Sequence, residues 1–302
     1  MVIISSILKE NIEGQKRVVP GGGLVRLRES LPSLSESESR VAEFIIQNPS
    51  EFVNMTIQEL AVRSESSAAA AVRLWKSLGF SGYQDFKLRV ASDIQSSVAE
   101  QPYSELKAGN SYGALVRVVE DTHIQSIQNT LRLLDESAVQ EAVQAIFQAS
   151  KMMTYGVGAS SIVADDLAQK LTRVGFPVYE ATDFHKAAVI AAQFKPQDAV
   201  ILVSHSGVTA EVVEVAEVAK RKGAHLIAIS RFGDTPLTRI ADTKLYVSAV
   251  EPEIRLAATT SRIAALTVVD LLLLSLAKQS REEIYDALET TRDAVKGHKY
   301  RD

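Results

Sequence analysis

The chain has 302 residues, of which 46% are hydrophobic and 23% are charged, and its formal net charge is −4. A net negative charge excludes DNA binding through overall charge, so any contact with nucleic acid requires a local basic surface. The absence of cysteine excludes disulfides, thiolate metal sites and a cysteine nucleophile. The five histidines have no metal-ligand spacing, so no metal site is expected, and the length favours two domains.

Neither a signal peptide nor a membrane span is predicted. Met1-Val2-Ile3-Ile4 lacks a preceding cationic region and is soon followed by Lys9 and Glu10. The most apolar run, residues 263–276, is interrupted by Asp270 and is too short to cross a bilayer. We therefore expect a cytoplasmic protein with no membrane partner, and we interpret this run as a buried helix that packs in part against another subunit.

Three short helices are predicted near the N-terminus. Ser35 to Glu38 and Thr56 to Glu59 are capping boxes, each followed by apolar residues at helical spacing. A third helix covers residues 67–78 and ends at Gly79. Because only a tight turn separates the second helix from the third, the pattern is typical of a helix-turn-helix.

This N-terminal region is locally basic. Against its cations, residues 65–89 offer only two carboxylates, Glu65 and Asp85. The cations of the third helix and of the helix after it are Arg73, Lys76, Lys87 and Arg89. Two interpretations stay open at this point, a DNA-binding surface and a plain three-helix core with a solvated cationic face.

A polar segment, residues 96–111, predicts an interdomain linker. Helical patterns follow over residues 112–134 and 136–150. The first of them places three apolar residues on one face, namely Leu115, Val118 and Val119.

From Lys151 onward, short apolar runs alternate with helical stripes. The runs that we interpret as buried parallel strands are residues 152–155, 178–180, 199–203, 226–230 and 245–250. Such alternation predicts a doubly wound sheet with helices on both faces, in which ligands bind at the carboxyl ends of the strands.

Two hydroxyl-rich stretches follow two of these strands, Tyr155-Gly156-Val157-Gly158-Ala159-Ser160-Ser161 and Ser204-His205-Ser206-Gly207-Val208-Thr209. Glycine permits a sharp turn, and hydroxyls at a helix N-terminus form an anion site. Neither stretch contains lysine or arginine, which favours a sugar phosphate monoester held by hydrogen bonds and dipoles. The first stretch is not a dinucleotide fingerprint, because Ser161 replaces the third glycine. The alternative for some of these hydroxyls is a helix cap.

The residues also resemble a known family. Met55-Thr56-Ile57-Gln58-Glu59-Leu60-Ala61, Val72-Arg73-Leu74 and Lys76-Ser77-Leu78-Gly79-Phe80-Ser81-Gly82-Tyr83-Gln84-Asp85-Phe86-Lys87 are similar to the N-terminal domain of RpiR-type bacterial transcriptional regulators. Those proteins join a helix-turn-helix to a C-terminal sugar isomerase (SIS) domain, whose phosphate site the two hydroxyl-rich stretches resemble. The resemblance implies an α + α/β fold class, with an all-helical helix-turn-helix domain followed by a doubly wound parallel-sheet SIS domain. Together with the composition of the segments outside these domains, it predicts a flexible N-terminal extension (1–23), the DNA-binding domain (24–95), the linker (96–111), the SIS domain (112–296) and a C-terminal tail (297–302).

The resemblance implies a phosphosugar site built from both stretches. Its residues would be Ser160, Ser161, Ser204, His205, Ser206, Gly207, Thr209 and Glu251. The hydroxyls of Ser160, Ser204, Ser206 and Thr209 would hold the phosphate, beside backbone N–H groups of Ser161 and Gly207. The position of His205 fits both a contact with a sugar hydroxyl and a general base, and Glu251 fits both a ligand contact and a solvated loop.

The resemblance also implies a set of DNA-binding residues, namely Ser66, Ser67, Ala70, Arg73 and Lys76. The chain departs from the family here, because Glu65 stands where glycine is usual and alanines replace the usual glutamate and hydroxyl of the recognition helix. Alanine contacts a thymine methyl group but donates no hydrogen bond to a base. Sequence readout would then shift to Ser66, Ser67, Arg73 and DNA shape.

The expected function is that of a DNA-binding transcriptional regulator whose SIS domain senses a phosphorylated sugar and modulates operator binding, without catalytic residues or a cofactor. The expected partners are double-stranded operator DNA, a phosphosugar effector and further copies of the chain in a homodimer or homotetramer. Two alternatives stay open. One is a SIS-fold phosphosugar isomerase, with a base drawn from Glu251, Glu253, His185 and His205. The other is a ligand-free SIS dimerisation scaffold.

Overall fold

The computed structural model describes residues 22–96, 111–249 and 258–296. They form two compact units, the first from residues 22–28 and 34–96, the second from residues 29–33, 111–249 and 258–296. Almost all of the predicted extension, most of the predicted linker and the predicted tail lie outside the described residues, as do Glu251 and Glu253.

The first unit is built from short helices. They are α1 (Gly23–Ser30, whose last two residues belong to the second unit), α2 (Glu36–Gln47), α3 (Pro49–Phe52), α4 (Ile57–Arg63), α5 (Ala68–Ser77) and α6 (Tyr83–Ser96). Both predicted capping boxes are present, at Ser35 and at Thr56. At the second box, Thr56 Oγ1 accepts from the Glu59 N–H at 3.2 Å, and the Glu59 carboxylate accepts from the Thr56 N–H at 2.7 Å. The prediction of a helix-turn-helix formed by α4 and α5 is confirmed.

Aromatic side chains hold the first unit together. The Phe86 ring lies with its centroid 5.2 Å from that of Phe52 and 4.9 Å from that of Phe80, and all three rings are buried. Gly79 has φ of +79°, which ends α5 as predicted and turns the chain so that Phe80 reaches this cluster. Each buried ring stabilises the unit by about 1.5–3 kcal/mol. Helix α5 contributes Trp75 from its buried face, with its ring centroid 5.3 Å from that of Tyr83.

The second unit is a doubly wound α/β domain, as predicted. Its strands are β1 (Met152–Gly156), β2 (Val178–Glu180), β3 (Ala199–Val203), β4 (His225–Arg231) and β5 (Thr243–Val247). Its helices are α7 (Tyr112–Leu133), α8 (Glu136–Gln148), α9 (Ala159–Arg173), α10 (Phe184–Ala191), α11 (Ala210–Arg221), α12 (Pro236–Ile240), α13 (Thr259–Gln279) and α14 (Arg281–Ala294). The strands pair in parallel in the order β2-β1-β3-β4-β5.

The sheet is covered on both faces because successive strand residues point in opposite directions. Met152 and Ile201 lie in a core formed with α8, α9 and α13. Their neighbours Met153 and Leu202 lie in a second core, formed with α10, α11 and α12. The edge strand β2 is less buried than predicted, because it has a neighbouring strand on one side only. The side chain of Tyr179 in this strand is 50% exposed.

Helix α13 is longer than the predicted run of residues 263–276. Its 21 residues, which include an 18-residue stretch with a mean hydropathy of 1.7, are sufficient by length and composition for a membrane span. The predicted run of 14 residues was too short for one only because the helix extends beyond it at both ends. Its buried residues nevertheless include Ala264, Val268, Leu272 and Leu276, which lie in the same core as Met152 and Ile201. The prediction of a buried helix is confirmed for this face of α13.

The apolar residues of α7 do not share one face in the way the sequence suggested. Val118 is buried, together with Ala114 and Thr122 one turn to either side. Leu115 and Val119 are 42% and 54% exposed. The reason is the helical repeat. Leu115 and Val119 are four residues apart and share the exposed face, whereas Val118 is rotated away from Val119 by about 100°.

Candidate functional site

The two hydroxyl-rich stretches meet at the carboxyl edge of the sheet. Gly156 at the end of β1 is paired with Val203 at the end of β3, so the loops that follow lie side by side. With the ends of β4 and β5 and the start of α13, these loops enclose a cavity of about 180 Å³. Its polar lining residues are Ser160, His205, Ser206, Thr209, Ser261 and Arg262, and the others are alanine, valine and isoleucine.

The first loop requires glycine at Gly156. A Cβ atom there would lie 2.6 Å from the Ser160 carbonyl oxygen and 3.0 Å from the Val203 carbonyl oxygen. The absence of a side chain therefore lets α9 begin directly above the end of the sheet. Gly158, with φ of +61°, is the N-cap residue of α9, and this geometry brings Ser160 to the cavity wall.

The second loop is organised around Ser204, which is 2% exposed and does not belong to the described cavity lining. Its hydroxyl lies 3.1 Å from the Thr209 hydroxyl and accepts from the Gly207 N–H at 3.2 Å. Ser206 and Thr209 do line the cavity. Ser204 thus lies behind the wall, where it positions Thr209.

Ser161 and Gly207 shape the loops in this structure. The Ser161 N–H donates to the Gly158 carbonyl at 3.0 Å, and its hydroxyl donates to the same oxygen at 2.8 Å. The Gly207 N–H donates to the Ser204 carbonyl at 3.1 Å. Both N–H groups that the sequence suggested for anion binding are therefore engaged within their own turns.

The two histidines proposed as bases are placed differently. His205 lines the cavity between Ser206 and the end of β3, and its carbonyl accepts from the Arg231 N–H at 3.0 Å. His185 lies on α10, is exposed and does not line the cavity. Of the two, His205 alone is placed to touch a ligand.

Sequence reasoning missed the third wall of the cavity, the first turn of α13. Ala258, at the N-cap of this helix, adopts the left-handed conformation with φ of +50°. Ser261 and Arg262 follow within the same turn and line the cavity. The only signal in the sequence was the place of this helix after the last strand, because its N-terminus must then lie at the carboxyl edge of the sheet.

The electrostatics of the cavity favour an anion. No carboxylate occurs among the described lining residues, whereas Arg262 carries a full positive charge. Helices α9 and α11 begin at the cavity, with Gly158 and Thr209 as their N-caps. Their dipoles place partial positive charge at the same point.

The turn between α4 and α5 contains Glu65, the carboxylate that stands where the family usually has glycine. Glu65 has φ of +49°, the left-handed region that glycine adopts without strain. Its carbonyl accepts from Arg40 Nε at 3.1 Å, and the Ser66 hydroxyl donates to the Ser37 carbonyl at 2.7 Å. The turn is thus tied to α2, and the Ser66 hydroxyl is engaged within the unit.

Ala70 cannot contact DNA as predicted, because it is fully buried in the inner face of α5. Its neighbour Ala69 is exposed, as are Arg73 and Lys76. Ser67 is exposed too and caps the helix, since its hydroxyl accepts from the Ala70 N–H at 3.1 Å. The helix itself was predicted correctly, but the exposed alanine at this point is Ala69 and not the predicted Ala70.

The basic surface is smaller than the sequence indicated. Arg73 Nε lies 3.5 Å from a Glu38 carboxylate oxygen, contributed by α2. Lys87 Nζ donates to the Met55 carbonyl at 2.8 Å, and Arg89 Nε lies 3.3 Å from Asp85. Because Lys87 and Arg89 are engaged within the unit, α5 provides the exposed cations of the helix-turn-helix that are best placed for DNA.

Fold and cavity together define a helix-turn-helix transcriptional regulator with an SIS domain. Comparison with known proteins agrees: the helix-turn-helix domain of the rpiR family matches residues 21–97, and the SIS domain matches residues 145–275. The chain belongs to the RpiR family.

Similar proteins match this chain over almost its whole length. The HTH-type transcriptional regulator YbbH of Bacillus subtilis (strain 168) is 34% identical over 91% of this chain and 97% of its own. HexR of Escherichia coli (strain K12), another HTH-type transcriptional regulator, is 28% identical over 92% of this chain and 95% of its own. The solved structure of the Vibrio vulnificus NanR protein, in complex with ManNAc-6P, is 29% identical, covers 92% of this chain and 100% of its own, and has a TM-score of 0.60.

Proposed function

We propose that this transcriptional regulator senses a phosphorylated sugar in its SIS cavity, and that occupation of the cavity changes its affinity for operator DNA. The observation that carries the proposal is the meeting of two hydroxyl-rich turns and an arginine around one cavity, whose described lining has no carboxylate. Such a site suits a small anion with hydroxyl groups.

The phosphate would bind where α9 and α11 begin. Ser160, Ser206 and Thr209 line the cavity there, and their hydroxyls would donate to phosphate oxygens. Ser204 would act through Thr209, whose hydroxyl it contacts at 3.1 Å. Ser161 and Gly207 would act as turn formers, and His205 would contact a sugar hydroxyl. Glu251 lies outside the described residues, and we propose it as a sugar contact from the sequence.

The NanR structure supports a phosphorylated sugar as the ligand class, because that similar protein is bound to ManNAc-6P. The cavity of about 180 Å³ agrees with a small ligand, since pockets for drug-sized molecules have about 300–1,000 Å³. A panel of phosphorylated sugars is the probe that identifies the sugar.

Sensing is favoured over catalysis. Because the chain has a helix-turn-helix, ligand binding without turnover would suffice to control DNA binding. The relatives that match over almost their whole length are also named as transcriptional regulators. An isomerase would need a base beside the sugar carbonyl, and of the described candidates only His205 reaches the cavity. We therefore propose a cytoplasmic regulator that acts without catalytic residues, metal or cofactor.

Operator binding would use the exposed face of α5. Ser67 and Ala69 lie at the N-terminal end of this helix, where recognition helices meet base edges, and Arg73 and Lys76 lie further along it. The two cations would contact phosphates, which position the helix without reading sequence.

A homodimer or homotetramer would supply two such helices for a two-fold operator. The exposed side chains of Tyr112, Leu115, Val116 and Val119 support this, because their spacing forms one apolar stripe along α7. A second copy could cover this stripe, together with Leu274, which is 69% exposed on α13.

The test is thermal unfolding and turnover with a panel of phosphorylated sugars, followed by ligand titration with and without operator DNA. Stabilisation without turnover supports the sensor, turnover indicates an isomerase, and no response indicates a dimerisation scaffold. Reciprocity demands that DNA and ligand change each other's affinity by the same factor. Equal ligand affinity in the presence and absence of DNA would contradict control of DNA binding by the cavity.

A further inference from the structure

The cavity contains an arginine for which the described residues supply no counter-charge. Arg262 lies in the first turn of α13, where its N–H donates to the Ala258 carbonyl at 3.3 Å. Arg262 lines the cavity together with Ser160 and Ser206. Within residues 22–96, 111–249 and 258–296, no carboxylate forms an ion pair with it.

The backbone beneath Arg262 is fixed. Ala264, Ala265 and Val268 lie on the buried face of the same helix, and Ala265 also lines the cavity. The next charged residue of α13, Asp270, is two turns away and pairs with Lys170 on α9 at 2.6 Å. Arg262 is therefore held at the cavity, and the acid of its own helix is engaged elsewhere.

We propose that Arg262 pairs with the phosphate of the ligand and makes the cavity selective for phosphorylated sugars over their unphosphorylated forms. This inference rests on the proposed phosphosugar site. A guanidinium group presents N–H donors in a planar fork that matches two oxygens of a phosphate. The hydroxyls of Ser160, Ser206 and Thr209 then complete the coordination from the other two walls.

Arg262 adds what hydroxyls and helix dipoles lack. A helix N-terminus carries about half an elementary charge, and a hydroxyl carries none. A phosphate monoester at neutral pH carries about −1.5 to −2 charges, so a full positive charge beside it compensates for most of its lost hydration. The charge would also raise the affinity for a phosphorylated sugar above that for a neutral sugar, a difference that the hydroxyls alone would not provide.

The experiment compares four full-length proteins: the wild type, Arg262→Gln, Arg262→Lys and Lys278→Gln. Lys278 lies on the last turn of the same helix, is exposed and is outside the cavity lining, so its substitution removes the same formal charge as a matched control. Calorimetric titration would use ManNAc-6P, ManNAc, glucose 6-phosphate and inorganic phosphate at low and high salt. Circular dichroism and unfolding without ligand would verify that each variant folds.

We expect Arg262→Gln to lose about tenfold to hundredfold in affinity for the phosphorylated probe that the wild type binds best. Arg262→Lys, which retains charge but loses the planar fork, should fall between the two, and Lys278→Gln should match the wild type. The preference for the phosphorylated over the unphosphorylated sugar and the salt dependence of binding should both shrink in Arg262→Gln.

Failure of this inference and failure of the proposed function give different results. If the wild type binds a phosphorylated sugar and Arg262→Gln binds it equally well, Arg262 has no role in recognition while the phosphosugar site stands. If the wild type binds none of a wide panel of phosphorylated sugars, the proposed function fails and this inference fails with it. If Arg262→Gln is misfolded, Arg262→Lys still tests the pairing, because affinity equal to that of the wild type would contradict bidentate recognition of the phosphate by the guanidinium group.

Discussion

Gly207 and Thr235 pack so closely that a Cβ atom on Gly207 would lie 2.8 Å from the Thr235 Cβ atom. The same atom would lie 3.0 Å from Ser230 Oγ. The Gly207 carbonyl also accepts from the Leu237 N–H on α12 at 3.1 Å. The loop that carries Ser206 and Thr209 is therefore clamped between α12 and the end of β4, which fixes the wall of the cavity.

The first prediction is that Gly207→Ala destabilises the second unit and abolishes phosphosugar binding. Gly207 has φ of +68°, so alanine would add backbone strain to the clash with Thr235. Strain of about 1–2 kcal/mol and overpacking of about 1–3 kcal/mol give an expected loss of about 2–5 kcal/mol. Urea unfolding followed by circular dichroism measures it.

Gly175→Ala is the control for the strain alone. Gly175 has φ of +88°, but a Cβ atom there would meet only the Ala287 side chain, at 3.6 Å. We expect a loss of about 1–2 kcal/mol and normal ligand binding. Equal destabilisation by the two substitutions would mean that the contact with Thr235 does not restrain the loop.

The second prediction separates two neighbouring serines. Ser206→Ala removes a hydroxyl from the cavity lining, and Ser204→Ala removes the partner of the Thr209 hydroxyl from behind it. Each should lower phosphosugar affinity by about tenfold. Only Ser204→Ala should also lower the free energy of unfolding, by about 1 kcal/mol, because Ser204 is buried.

Calorimetric titration and unfolding of the same preparations distinguish these effects. Ser161→Ala serves as the reference, since its hydroxyl donates to the Gly158 carbonyl and lies outside the described lining. If Ser161→Ala weakened the ligand as much as Ser206→Ala, the assignment of the cavity wall would be wrong.

The sequence predicted well those features that neighbouring residues determine. The capping boxes at Ser35 and Thr56, the bounds of β2 and β3 and the glycine turns all depend on residues within a few positions of each other. Arg262 was missed because its position depends on the order of the strands in the sheet. That order brings the end of β5, and with it the start of α13, to the same edge as the loops after β1 and β3.

The outer face of α5 and its charge depend on tertiary packing as well. Ala69 and Ala70 are equivalent in a run of alanines, and only the packing of α5 buries one and exposes the other. Glu38 is 35 positions before Arg73 in the chain, yet the fold places their charges 3.5 Å apart. A count of charges along one segment therefore overestimated the basic surface.

The third prediction is that Glu65→Gly stabilises the first unit by about 1 kcal/mol. The left-handed conformation of Glu65 costs energy in any residue with a Cβ atom and almost none in glycine. Glycine also gains entropy in the unfolded chain, which offsets part of the benefit. Trp75 is the single tryptophan of the chain and lies in α5, so its fluorescence follows unfolding of this unit.

Glu65→Ala is the matched comparison, because it removes the carboxylate and retains the strain. We expect its stability to remain within about 0.5 kcal/mol of the wild type. A Glu65→Gly protein no more stable than Glu65→Ala would show that the turn stores no strain at this residue.

The fourth prediction concerns pH. Burial raises the pKa of Glu29 to about 7, although the Ser248 hydroxyl, which donates to it at 3.0 Å, and Arg231 both act to lower it. The unfolded carboxyl group titrates near 4.5, so the native protein binds more protons between these two values. The free energy of unfolding should therefore fall as pH rises from about 4.5 to 7, by at most about 3 kcal/mol.

Glu29→Gln should remove this decline, because its amide does not titrate. Denaturant unfolding at closely spaced pH values would compare it with Glu282→Gln, which changes an exposed carboxylate of α14. A wild-type profile that is flat or rises across this window would contradict the assignment to Glu29.

The last prediction concerns the cations of α5 and the carboxylate beside them. If Arg73 and Lys76 contact DNA phosphates, Arg73→Ala and Lys76→Ala should each weaken binding to every sequence and reduce the salt slope by about one. Glu38→Gln should strengthen binding, because Glu38 lies 3.5 Å from Arg73 and competes with phosphate for it. Fluorescence anisotropy with a labelled duplex of random sequence, measured over a range of salt concentrations, gives the slopes. Arg292→Ala removes an exposed arginine from α14 of the second unit and is the charge-matched control. Salt slopes that are equal in all five proteins, the wild type included, would mean that α5 does not face the DNA backbone.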